Sequence, residues 1–142
     1  LDQGLNTLLM LEDDCKLTTD FLKKVNDVMT FVPNNWDILY LGINPINKKW
    51  GSFKKINKVI NKPQGSKKLP DKRYIESEGA IYGTHAFIVN RKAMELFIKY
   101  NLPMTYPADV ILGKLATQYK LINSYSLAKQ LVTTFNAGST TQ

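Results

Sequence analysis

The sequence has little that would staple, anchor or export it. Its 142 residues include one cysteine, Cys15, and one histidine, His85. A lone thiol excludes an internal disulfide framework, so nothing in the composition argues for an oxidising compartment. No apolar run approaches the roughly 20 residues that a membrane span needs. The best candidate, around Leu8 to Leu11, is stopped by three acids. The opening residues Leu1-Asp2-Gln3-Gly4 lack the basic start and apolar stretch of a signal peptide. Because the chain opens without Met, a few residues before an expected strand, it reads as a piece of a longer protein. Cytoplasmic, endoplasmic-reticulum and virion-associated settings all stay open for that parent.

What is present describes a globular domain. The hydrophobic content is 44%, and the length suffices for one domain with a real core. A net charge of +7 favours an anionic partner. The excess is local: Lys48, Lys49, Lys54, Lys55, Lys58, Lys62, Lys67, Lys68, Lys72 and Arg73 are opposed in their stretch by Asp71 alone. A solvated surface loop explains it. Nucleic acid is not the expected partner, because the stretch is broken by Pro63, Gly65 and Pro70, interleaves few aromatics and carries no recognition motif. A steep salt dependence of DNA or RNA binding would revive that reading.

Hydropathy patterning predicts an α/β domain. Thr7 to Leu11 is a continuous apolar run, expected to be a central strand covered on both faces. Thr18, Thr19 and Asp20 offer N-cap side chains to a helix whose apolar face is Phe21, Leu22, Val25, Val28, Met29 and Val32. Pro33-Asn34-Asn35 ends it, and Trp36 to Leu41 reads as a second buried strand closed by Gly42, completing a βαβ unit. Between residues 43 and 79 the periodicity fails. Pro45, Gly51, Pro63, Gly65 and Pro70 punctuate an expected mobile, lysine-rich insertion, within which Phe53, Ile56, Val59 and Ile60 suit a hairpin or an anchored loop. Ala80 to Val89 is strand-like, and Asn90 can cap a helix bearing Ala93, Met94, Phe97 and Ile98. Pro107-Ala108-Asp109 starts another helix, with Leu112, Leu115 and Ala116 inward. Leu121 to Tyr125 is a last short strand, before a polar, irregular tail from Asn136.

The chemistry concentrates in Glu12-Asp13-Asp14, directly after the apolar strand. In open α/β sheets ligands bind beyond the carboxyl ends of strands. Three adjacent carboxylates repel one another unless a cation or donors compensate. Mg²⁺ and Mn²⁺ take oxygen ligands, often one or two carboxylates plus substrate phosphates. An acidic strand-to-helix turn in water is the competing reading, and three acids in a row favour the metal. Cys15 reads as a packed small residue rather than a nucleophile, since no base is paired with it.

Leu11-Glu12-Asp13-Asp14-Cys15-Lys16-Leu17 resembles the "LEDD-x-x-L" segment of the family 25 glycosyltransferases, which include bacterial lipooligosaccharide galactosyltransferases and animal collagen galactosyltransferases. Three further blocks agree in order and spacing. Trp36-Asp37-Ile38-Leu39-Tyr40-Leu41-Gly42 is similar to the family's "W-D-h-h-h-L-G", with h apolar. Gly83-Thr84-His85-Ala86-Phe87-Ile88-Val89-Asn90, with Ala93 and Leu96 beyond, resembles "G-x-x-A-Y-h-h-S" and its helix. Pro107-Ala108-Asp109 resembles "P-h-D". The lysine-rich insertion matches no family block, and the family's preceding strand and basic segment, part of its nucleotide pocket, has no counterpart here.

The resemblance implies a GT-A-like, Rossmann-like mixed sheet flanked by helices. It implies a nucleotide-sugar donor, a UDP-sugar, and a hydroxyl acceptor on a glycan or protein, with the sugar transferred by inversion. By analogy Glu12 and Asp14 would flank Mn²⁺ or Mg²⁺ and the donor diphosphate in a DXD-like role, with Asp13 nearby. His85 reads first as a packed core or acceptor-cleft histidine, with a third metal ligand as the alternative. Asp109 becomes the candidate base, although a plain N-cap aspartate explains it equally well. Gly83, His85, Trp50 and Tyr82 become candidates for substrate contact, with packing as the alternative for the aromatics. Ser139 matches a serine near the end of family domains. The alternative function is a non-catalytic remnant that binds a glycan or partner without turnover.

Overall fold

Ile38–Gly42 is buried at every position, and the rest of the fold is arranged around it. The computed structural model describes residues 4–43, 74–76, 83, 85–127 and 129–135. In chain order the elements are β1 (Thr7–Leu11), β2 (Cys15–Leu17), α1 (Phe21–Met29), β3 (Ile38–Gly42), β4 (Tyr74–Glu76), β5 (Ala86–Asn90), α2 (Arg91–Asn101), α3 (Ala108–Thr117), β6 (Ser124–Leu127) and β7 (Val132–Thr134). Five strands form one sheet in the order β1-β5-β3-β6-β4, and β2 pairs with β7 in a second, two-stranded sheet. β3 and β6 are parallel, whereas β5 is antiparallel to both of its neighbours. The architecture is α/β with a mixed sheet.

Strand alternation divides β3 between two cores. Leu39 and Leu41 pack with Phe21 and Ile88 on the face covered by α1. Ile38 and Tyr40 pack with Val89, Ala93, Leu112 and Leu115 on the face covered by α2 and α3. Asn90 caps α2 as its sequence position predicts, its side-chain oxygen accepting the Ala93 amide at 2.9 Å.

Four expectations change. First, β1 is not central: among the described residues it has a strand neighbour on one side only, and Met10 and Leu11 are exposed. Leu8 and Leu9 still reach opposite cores, which is how an edge strand can carry an unbroken apolar run. Second, the βαβ unit is split, because β5 lies between the mutually parallel β1 and β3. Third, Asp20 occupies the N-cap position of α1, but with φ 57° and without a side-chain cap, while Leu22 faces solvent. Aspartate is among the few non-glycine residues that enter this left-handed region readily. Fourth, Tyr74–Glu76 inside the expected insertion pairs with β6 as a strand. Nearly all of the remaining insertion, its lysines and the possible hairpin at Phe53 to Ile60 included, lies outside the described residues, as does the tail from Asn136 with Ser139.

The two ends of the sheet differ. Where β3 begins, buried Asp37 accepts hydrogen bonds from the Asn123 amide (2.7 Å), the Lys92 ammonium (2.9 Å) and the Asn90 side chain (3.1 Å). That one carboxylate ties β3 to the start of α2 and the entry to β6. At the other end β1 and β3 finish, β5 starts, and the acids follow.

Candidate active site

The acidic turn is held between two strands. From one side, the His85 carbonyl accepts the Glu12 amide at 2.9 Å and the Cys15 thiol at 2.9 Å. From the other, the Phe135 amide donates to the Asp14 carbonyl at 3.0 Å, continuing the β2–β7 pairing of Cys15 with Thr134. Glu12 and Asp13 are exposed, whereas Asp14 is half-buried. Burial raises the Cys15 thiol above its ordinary pKa, and the charges of the three neighbouring acids add to this. Cys15 is therefore a protonated donor that packs against the turn, in keeping with a structural role.

Asp109 bonds a residue two positions before His85. It sits half-buried in the first turn of α3, where a negative charge suits the helix dipole. One carboxylate oxygen accepts the Gly83 amide at 3.1 Å and the other accepts the Val110 amide at 2.8 Å. Gly83 has φ 67°, a left-handed conformation that glycine adopts without strain. Two residues ahead of β5 thus touch the two candidate groups: the Gly83 amide binds Asp109, and the His85 carbonyl binds the acidic turn. Burial pushes the Tyr40 phenol far above its usual pKa, and the nearby Asp109 charge pushes it further.

His85 is buried just ahead of β5, with Nε2 3.4 Å from the Val132 carbonyl, at the weak end of hydrogen-bonding range. Gly42 makes room for it. A β-carbon at residue 42 would lie 2.5 Å from the Val132 oxygen and 2.6 Å from His85 Nε2. Gly42→Ala is therefore expected to destabilise the fold by about 1–3 kcal/mol through overpacking. Thermal melting checks this, and an unchanged midpoint would refute the close approach.

Do these residues suit a divalent ion? Among the described residues no three His, Cys, Asp or Glu side chains converge on a common point, so the acids and His85 do not form a closed protein cage. A hard ion bound by one or two carboxylates and a diphosphate needs no such cage. Asp14 Oδ1 is buried and has no hydrogen-bond partner among the described residues. An uncompensated carboxylate oxygen in a turn with two further acids is chemically suited to a cation.

The model of glycosyltransferase family 25, described as an LPS biosynthesis protein family, matches residues 1–112. The chain belongs to glycosyltransferase family 25. No match was found among curated proteins or among solved structures. The matched span takes in the acidic turn, β3 with Gly42, the Gly83–His85 segment and Asp109. As a family 25 glycosyltransferase, the protein has sugar donors and acceptors as its partners. No described helix is long and apolar enough to cross a membrane.

Of the residues singled out by sequence, the structure bonds Glu12 to His85 through their backbones and Asp109 to the Gly83 amide, with Asp13 and Asp14 following Glu12 in the turn. Trp50 and Tyr82 lie outside the described residues. Sequence reasoning gave no role to Asp37, although a lone acid beside a buried strand signals a partnered carboxylate. It also missed β7, whose three residues hold the far side of the turn.

Proposed function

We propose that this domain moves a hexose from a nucleotide-sugar donor, a UDP-sugar, to a hydroxyl of a glycan or protein acceptor, with inversion. The observation that supports the reading best is that Gly83 and His85, two residues apart within the span matched by the family, bond Asp109 and the acidic turn respectively. Asp14, with Glu12 and Asp13 beside it, would hold Mn²⁺ or Mg²⁺ at the donor diphosphate. When bound, such an ion neutralises charge on the departing nucleoside diphosphate.

Asp109 acts on the acceptor. Each of its oxygens accepts one amide and retains a further lone pair, so a proton can still be taken up. As the acceptor oxygen bonds to the anomeric carbon, its proton passes to Asp109. The bond from that carbon to the diphosphate oxygen breaks, and the nucleoside diphosphate leaves with the electron pair. The two amides fix the carboxylate in place, which general-base catalysis requires.

Asp109→Asn tests this assignment. Transfer by the full chain should slow by about a hundredfold or more, with little change in donor KM. The asparagine must turn its NH₂ toward one of the two amides, so a stability loss of about 1–3 kcal/mol should accompany the change. Rates measured below the variant's melting transition separate the two effects. Full activity in a folded Asp109→Asn protein would eliminate Asp109 as the base.

A further inference from the structure

We propose that His85 is a positioning residue whose backbone and ring lock the two sides of the acidic turn together and so set the spacing of Glu12 and Asp14. The proposal rests on the reading of that turn as the metal–diphosphate site. The His85 carbonyl holds the β1 side, through the Glu12 amide and the Cys15 thiol. The ring holds the other side at one remove. It packs against the Val132 carbonyl in β7, β7 pairs with β2, and the residue after β7 donates to the Asp14 carbonyl. Gly42 lets the ring in, since any β-carbon there would collide with both the ring and the Val132 oxygen. One residue thereby contacts both sides of the turn that carries Glu12 and Asp14.

Stability alone does not account for a histidine here. The ring is buried, and among the described residues its one polar contact is long and Nδ1 has no partner. Burying an unsatisfied polar atom costs free energy that an apolar side chain of similar size would not incur. What the imidazole adds is a shape and a directed contact to β7. Residues that support metal ligands from behind commonly change metal affinity by about 10–100-fold when altered.

The test is a titration of the full chain with Mn²⁺ in the presence of UDP, read by the electron paramagnetic resonance signal of free Mn²⁺, with thermal melts alongside. Two variants loosen the two halves of the lock. His85→Ala removes the ring. Phe135→Pro removes the amide that donates to the Asp14 carbonyl; it alters an exposed position after a strand, where proline is tolerated. Each is expected to weaken Mn²⁺–UDP binding by about tenfold or more, and Phe135→Pro should do so with its melting midpoint nearly unchanged. If His85→Ala does not fold, Phe135→Pro decides alone. A folded variant of either kind with wild-type affinity would overturn the positioning role. Absence of Mn²⁺ uptake by the wild-type chain would instead defeat the metal reading itself, and this inference with it.

Discussion

Asp14→Asn is expected to lower sugar transfer by about 10²–10³-fold, the scale seen when one electrostatic contact to developing charge is lost. The amide keeps an oxygen in place but removes the charge that would hold a divalent ion against a diphosphate. Stability should not fall with activity. The turn is anchored through the Asp14 backbone carbonyl, which receives the Phe135 amide, and among the described residues its side chain forms no anchoring bond. Because Asp14 Oδ1 is buried without a partner among the described residues, neutralising it removes a desolvation cost and should leave the melting point equal or slightly raised. Transfer assays beside thermal melts check both halves. Wild-type transfer by the variant would overturn the metal-site reading.

Asp37→Ala should do the reverse. Its carboxylate accepts from the Asn123 amide, the Lys92 ammonium and the Asn90 side chain at the end of the sheet away from the acids. Truncation strands a backbone amide and releases the residue that caps α2, so a loss of about 3 kcal/mol or more is expected. Lys92→Ala should cost less than about 1 kcal/mol, because the lysine is largely solvated and the other donors stay in place. Urea denaturation of both variants gives the comparison. Equal losses would show that the ion pair, rather than the hydrogen-bonded hub, dominates. At temperatures where Asp37→Ala is folded, its transfer rate should match the wild type.

Local pattern made much of this architecture readable. The apolar run of β3, the Asn90 cap of α2 and the Pro107-Ala108-Asp109 start of α3 are short-range signals, and each lies where its chemistry indicates. Pairing was not readable. An unbroken apolar stretch such as Leu8-Leu9-Met10-Leu11 suits a central strand and an edge strand alike, and only the insertion of β5 beside it decides. β2 and β7 have three residues each, too few for periodicity to show, and their partners lie more than a hundred residues apart in the chain. The motif glycines were visible as letters, but their reasons were not. Gly42 yields space to His85, and Gly83 supplies a left-handed turn that aims an amide at Asp109. The acidic turn stood out because three carboxylates after an apolar strand are unusual in any setting. The strands that clamp it, and the role this gives His85, emerge only in three dimensions.

The most direct test of the central claim is release of nucleoside diphosphate from a UDP-sugar by the full chain, measured with Mn²⁺, with EDTA, and after Mn²⁺ is restored. Mn²⁺-dependent release that EDTA abolishes and added Mn²⁺ recovers is the predicted result. Release that proceeds equally in EDTA would contradict a metal–diphosphate site at Glu12 to Asp14, and no release under any of the three conditions would contradict catalysis by this domain.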